Sequence, residues 1–354
     1  MPRWLCCCLL VLLCLPLKAE SQTVRMITIG PGDAFWSVYG HTALAIDQQV
    51  YAFGYFDFSE ENLFKAFLLN DMNYAMGISE LSDELYWARH SERQFTEQVL
   101  DLPPAAVRQL KQQLDWHYLP ENRRYQYDYF ANNCATKVRD FLNQATEGAL
   151  YQKAQILSPY SYADLTLPTH QQSAMRFGLA VGYGYQAYET ISYWQAMAFP
   201  LVIEDFLRQH MTGWLAGESV LYQPPTGSWD LLYDHSFYLI LLSILVLGWL
   251  IRPLRRHVIN VWFCLAGFVG VVILVLWFVM PHPVADGNFN LLLFNPVLFL
   301  AVVLKRTQAV HLLLMVCLLL WLGFAGYWGA WYLLPLMMVQ LLYLVSGWLQ
   351  IRTA

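Results

Sequence analysis

From residue 237 onward the chain becomes a succession of apolar runs, at 237–251, 258–280, 291–304, 309–324 and 331–349, separated by short polar breaks. A helix needs about 20 apolar residues to cross a bilayer, and several of these runs approach or exceed that length. The pattern predicts five transmembrane helices over residues 236–354. Upstream the periodicity is different. Residues 134–145 carry Val138, Phe141, Leu142 and Ala145 at the spacing of a helix with one buried face, with Asn132 or Asn133 as its N-cap. Pro103 and Pro104 open a second amphipathic helix with Val107, Leu110 and Leu114 on one side. Short apolar stretches at 26–29, 41–46 and 50–55 predict strands, the last two paired as a hairpin with His41 at its start. Residues 58–69 and 82–90 read as short helices or loops, 121–130 as a tyrosine-rich loop, and 147–230 show no strong period. An α+β domain over residues 20–235, followed by an all-α membrane domain over 236–354, is the expected organisation.

Composition agrees with the membrane half. Of the 354 residues 57% are hydrophobic and 16% aromatic, and mean hydropathy is positive. The formal charge of −5, without any basic run interleaved with aromatics, argues against a nucleic-acid partner. Residues 1–19 carry Arg3, an apolar run from Trp4 to Leu17 and a small residue, Ala19, before a polar stretch, the pattern of a cleavable secretory signal. Lys and Arg then sort by loop. Arg252, Arg255 and Arg256 follow the first apolar run, Lys305 and Arg306 the third and Arg352 the fifth, while loops 281–290 and 326–330 hold none. The positive-inside rule puts the charged loops in the cytoplasm and residues 20–235 on the outer side. The outer loop 281–290 combines turn residues with polar side chains, which suits either a tight connection or a site for a lipid headgroup.

Cysteine usage narrows the chemistry. Of seven cysteines four lie in the signal and two, Cys264 and Cys317, inside apolar runs, so Cys134 is the one thiol of the exported domain. It falls in the first turn of the 134–145 helix, where free N–H groups and the helix dipole favour a thiolate. A cysteine nucleophile needs a base, usually a histidine held by a third group. His41, next to Gly40 at a strand start, is the best candidate; His90, His117, His170, His210 and His235 are rivals. With a three-residue hairpin turn Tyr55 falls opposite His41 and Asp57 lies diagonally on the same face; a two-residue turn is expected to bring Phe56 opposite instead. Asp57 is taken as the third member. The oxyanion is assigned to the Cys134 N–H with a donor from Asn132 or Asn133. Without a glycine-rich phosphate loop or a metal-spaced cluster of His, Cys and carboxylates, no cofactor or metal is expected.

The stretches 39–44, 53–58 and 133–140, read as Tyr-Gly-His-Thr-Ala-Leu, Phe-Gly-Tyr-Phe-Asp-Phe and Asn-Cys-Ala-Thr-Lys-Val-Arg-Asp, resemble successive motifs of the Lnb family. The resemblance extends to the five-helix tail. It implies a permuted papain-like (NlpC-like) cysteine-hydrolase domain in the periplasm, attached to the bacterial inner membrane. It further implies lipoprotein N-acyltransfer, in which a phospholipid acyl chain passes to the N-terminal amine of a lipoprotein. Lys137 stands where the family often has arginine. Two other readings use the same residues: a membrane-anchored cysteine peptidase or amidase acting on cell-wall peptides, and a non-enzymatic membrane scaffold.

Overall fold

The structure, a computed structural model, describes residues 22–34, 36–56, 66, 69–170, 173–225, 236–279, 283–303, 308–328 and 330–353. The signal at 1–19, Asp57 and His235 lie outside the described residues.

The N-terminal half is built on one antiparallel sheet. Strands β1 (Val24–Ile29), β2 (His41–Ile46), β3 (Gln49–Tyr55), β4 (Met72–Glu80), β5 (Phe95–Leu100), β6 (Arg124–Tyr127) and β7 (Leu215–Tyr222) lie in the order β6-β4-β3-β2-β1-β5-β7. Helices cover both faces. Helix α1 (Leu81–His90) packs on one face, over Ile27, Ala43, Ala45, Val50 and Ala52. On the other, α2 (Pro104–Tyr118), α3 (Cys134–Ala145) and a later helix, Pro200–His210, enclose Met26, Leu44, Ile46, Tyr51 and Phe53. A central strand buried on both faces reads as a continuous apolar run, which is why alternation is blurred from Val24 onward.

The β2–β3 hairpin turns on two residues, Asp47 and Gln48, with Ala43 opposite Ala52. Continuing that register brings Gly54 opposite His41, so neither Tyr55 nor Phe56 takes the position expected for it. Gly54 adopts φ 104 and the β3–β4 register shifts between Phe53 and Tyr55, ending the regular ladder beside the start of β2.

The C-terminal half is helical. After α4 (Ser173–Gly182) and the helix Pro200–His210, here α5, come α6 (Ser236–Leu250), α7 (Arg252–Phe278), α8 (Val297–Val303), α9 (Gln308–Trp328) and α10 (Leu334–Thr353). Three segments, Arg252–Phe278, Gln308–Ala325 and Trp331–Leu349, are long and apolar enough to cross a membrane. The third apolar run is not one continuous helix. A 3-10 turn at Phe289–Leu292 precedes Asn295, whose Oδ1 accepts the Val297 N–H at 2.9 Å, and α8 starts only after Pro296. Proline favours a helix start and cannot continue a preceding helix, so the run divides there. The carbonyl freed at Leu293 accepts from Gln340 Nε2 at 2.8 Å, and Trp262 Nε1 donates to Gln340 Oε1 at 3.1 Å. Backbone that leaves the helical pattern in an apolar surrounding needs such internal partners.

The two halves meet through α4 and the loop after α7. Asn288 Nδ2 donates to the Val181 and Gly182 carbonyls at 2.9 and 2.8 Å, satisfying the end of α4. Asn290 Nδ2 reaches the Ala180 and Val181 carbonyls at 3.2 Å while its Oδ1 accepts from Trp321 Nε1 of α9 at 3.1 Å. The polar side chains of this loop therefore serve a tight structural connection.

Candidate active site

Cys134 opens α3, and a reciprocal cap fixes that helix start. Asn133 Oδ1 accepts the Thr136 N–H at 2.9 Å, and Thr136 Oγ1 accepts the Asn133 N–H at 2.7 Å. The Asn133 amide then donates to the Tyr129 carbonyl at 2.7 Å and the Ala198 carbonyl at 2.8 Å. Both of its hydrogens are committed, so Asn133 positions the helix and leaves no amide hydrogen for an oxyanion. Asn132 donates to the Gln126 carbonyl at 2.6 Å.

His41 starts β2 behind Gly40, which takes φ 87 and whose missing Cβ would stand 2.8 Å from the Ile29 carbonyl. Only glycine combines that backbone with that approach. His41 and Cys134 line one cavity of about 420 Å³. The backbone N–H of Thr42, the next residue along β2, points at the Cys134 sulfur, as do those of Ala135 and Cys134 itself. No direct hydrogen bond joins the thiol to the imidazole among the described residues.

Electrostatics keep both groups neutral at rest. Burial pushes the Cys134 thiol up and outweighs the opposing N–H groups of Thr42, Ala135 and Cys134 and the Arg93 guanidinium. The expected preference for thiolate at the helix start is thus overridden. Burial, and then the Arg93 charge, push His41 down to about 4. An uncharged imidazole beside an uncharged thiol is a base waiting for a proton rather than a preformed ion pair.

The cavity also gathers residues that local sequence pattern does not mark. Arg93 enters it from the turn between α1 and β5, and Phe56 and Tyr74, with ring centroids 5.1 Å apart, form another part of the wall. Tyr127 stacks on Tyr74 at 4.1 Å. His170 lines the same cavity with its Nε2 2.9 Å from the Tyr39 hydroxyl. Tyr127 and Tyr129 belong to the tyrosine-rich segment visible in the sequence; Arg93 and His170 carry no comparable local signal. Three other candidate histidines lie elsewhere: His117 against Phe53 and Phe141, His210 stacked on Phe206, His90 on Tyr86. Tyr55 is 48% exposed with its ring against Gly77, away from the cavity wall. No group of three or more His, Cys, Asp or Glu able to hold a metal occurs among the described residues.

The wall continues into the membrane half. Leu276 near the end of α7 and Pro283, Val284 and Ala285 of the following loop line the same space, together with Met175 and Leu179 of α4. Most of the lining is apolar.

Comparison with known families agrees with this architecture. The family model for the Lnb N-terminal periplasmic domain matches residues 17–168, and that for the Lnb transmembrane domain matches residues 232–353. The chain belongs to the Lnb family. It is a membrane protein with a periplasmic portion. Neither a curated protein nor a solved structure gives a match. In this Lnb chain Cys134, His41 and Arg93 fall within the periplasmic match and Leu276 to Ala285 within the transmembrane one. Helices α4 and α5 and strand β7 lie between the two.

Proposed function

We propose that this protein is a cysteine acyltransferase of the inner membrane, moving an acyl chain from a phospholipid through a thioester on Cys134 to the N-terminal amine of a lipoprotein. One observation carries the reading: Cys134 and His41 share a mostly apolar cavity with Leu276 and Val284 of the membrane half. A soluble peptide needs no such wall; an acyl chain does.

In the first step Cys134 Sγ attacks the ester carbonyl and His41 takes the thiol proton. The S–C bond forms, the C–O bond breaks, and the proton passes to the departing lysophospholipid oxygen. In the second the neutral amine attacks the thioester, the C–N bond forms, the C–S bond breaks, and the amine proton returns through His41 to the sulfur. The Cys134 N–H, at the helix start and directed to its own sulfur at rest, is the assigned oxyanion donor. Asp57 is kept as the group that orients His41. A cavity with little polar lining disfavours water and so directs the thioester to the amine.

The His41 strand preceding the Cys134 helix, both against an antiparallel sheet, supports a permuted papain-like arrangement. Five crossings are supported by the alternation of Arg and Lys between loops, although the 15 residues of α6 span only about 22 Å and the seven of α8 about 10 Å. Cleavage after residue 19 and export of residues 20–235 complete the proposal.

Full-length protein incubated with phospholipid should gain one acyl mass on Cys134 that hydroxylamine removes. His41→Ala should lose the adduct. Intact wild-type protein that never acquires it, while releasing peptides from peptidoglycan, would end this reading.

A further inference from the structure

Arg93 is held in the cavity from two sides. Its Nε donates to the Gly30 carbonyl at 2.8 Å, and its Cδ passes so close to Gly32 that a Cβ there would stand 2.9 Å away. Arg93 lines the cavity. Nη2 is buried and has no hydrogen-bond partner among the described residues. Glu84 acts on the guanidinium through its charge, but its Oε1 accepts the Ser79 hydroxyl at 2.6 Å and no ion pair joins it to Arg93 among the described residues. Arg93 is the one Lys or Arg among the described residues of the cavity wall. An unmatched guanidinium in a mostly apolar cavity is unfavourable unless an anion completes it. Its planar fork fits phosphate oxygens with two parallel hydrogen bonds.

We propose that Arg93 forms a phosphate subsite beside the nucleophile, holding the anionic phosphodiester of the lipid donor while the acyl chain lies along Leu276, Val284 and Leu179. This rests on the acyl-transfer reading above and adds how the donor is chosen. Arg93, Cys134 and His41 line the same cavity, so a phosphate bound to Arg93 shares that space with the reacting sulfur. In a glycerophospholipid the phosphate and an acyl ester sit on neighbouring glycerol carbons, so one cavity can hold both. A diacylglycerol offers the same ester and chain without the anion, and should therefore be a poorer donor.

The test compares two donors with identical acyl chains, a phosphatidylglycerol and a diacylglycerol, in mixed micelles with the full-length protein. The readout is the rate of Cys134 acylation against donor concentration. Wild type should prefer the phospholipid by about tenfold or more, mainly through KM. Arg93→Gln should abolish that preference, and Arg93→Lys should keep part of it. Inorganic phosphate at millimolar concentration should protect weakly, because it brings no chain into the apolar wall. Equal use of both donors by wild type overturns the subsite, and that comparison stands even where a variant fails to fold. Equal loss for both donors in Arg93→Gln, with a displaced pH profile, also overturns it, since Arg93 would then act through His41 alone. Tight protection by inorganic phosphate overturns the lipid as its source. Absence of an adduct from either donor on folded wild type removes the acyl-transfer reading itself.

Discussion

The Asn133 side-chain amide donates to the Ala198 carbonyl at 2.8 Å, tying the start of the cysteine helix to the approach to α5, 65 residues further along the chain. Because the same side chain also caps α3 through Thr136, the placement of Cys134 depends on one residue acting in two directions. Asn133→Ala should lower stability by about 1–3 kcal/mol, the loss of a cap together with two buried carbonyls left unpaired. Asn133→Asp keeps the cap acceptor but sets a carboxylate oxygen against both carbonyls at a buried position, so its loss should be at least as large. Melting temperature and the rate of Cys134 acylation together check this; an unchanged melting temperature in Asn133→Ala would contradict it.

The neutral thiol and imidazole predict a particular pH response. With His41 pushed down to about 4, the base stays available above that pH, so acylation should fall only on acidification toward about 4. Alkylation of Cys134 by iodoacetamide should keep rising on the alkaline side, because burial pushes the thiol up. A preformed ion pair would instead give a plateau of alkylation beginning in acid.

The same shift bears on stability. An unfolded His41 near 6.5 binds its proton before the folded one does, so this stability contribution is complete above about 6.5 and is lost as pH falls through about 4. His41→Asn should flatten that part of the stability curve, measured by denaturation at a series of pH values.

Gly184 leaves no room for a Cβ against the Asp286 carbonyl, and Asn288 pairs with the Val181 and Gly182 carbonyls beside it. Gly184→Ala and Asn288→Ala should therefore loosen the attachment between the halves. Acylation from lipid embedded in vesicles should fall several-fold more than acylation from a soluble short-chain ester. Equal losses with both donors would show that the attachment has no part in delivering lipid.

Tyr55 gives a contrasting expectation. Its ring packs on Gly77 outside the cavity wall, so Tyr55→Phe should leave Cys134 acylation within about twofold of wild type. A tenfold loss in the same assay would return Tyr55 to the site.

Features encoded in neighbouring residues are legible in the sequence. The α3 pattern of Val138, Phe141, Leu142 and Ala145 located the helix, and Asn133 is its cap. The two-residue turn at Asp47 and Gln48 was one of two alternatives, but the residue it sets opposite His41 emerged only from the pairing of Ala43 with Ala52. Strands β4 to β7 escaped because they lie among mixed polar and aromatic residues, and their sides are assigned by neighbours rather than by their own period. The break in the third apolar run is written at Asn295 and Pro296, yet the apolar residues around them conceal it in a hydropathy window.

By itself the sequence determined an α+β half ahead of an apolar helical half, a single thiol at a helix start, and a glycine-histidine strand start. These depend on composition and on periods of a few residues. Only the tertiary structure decided that Arg93, Tyr74 and His170 join Cys134 and His41, that Tyr55 does not, and that Leu276 and Val284 complete the wall. Those residues arrive from segments far apart in the chain, and their meeting is set by strand order and helix docking, which no local pattern records.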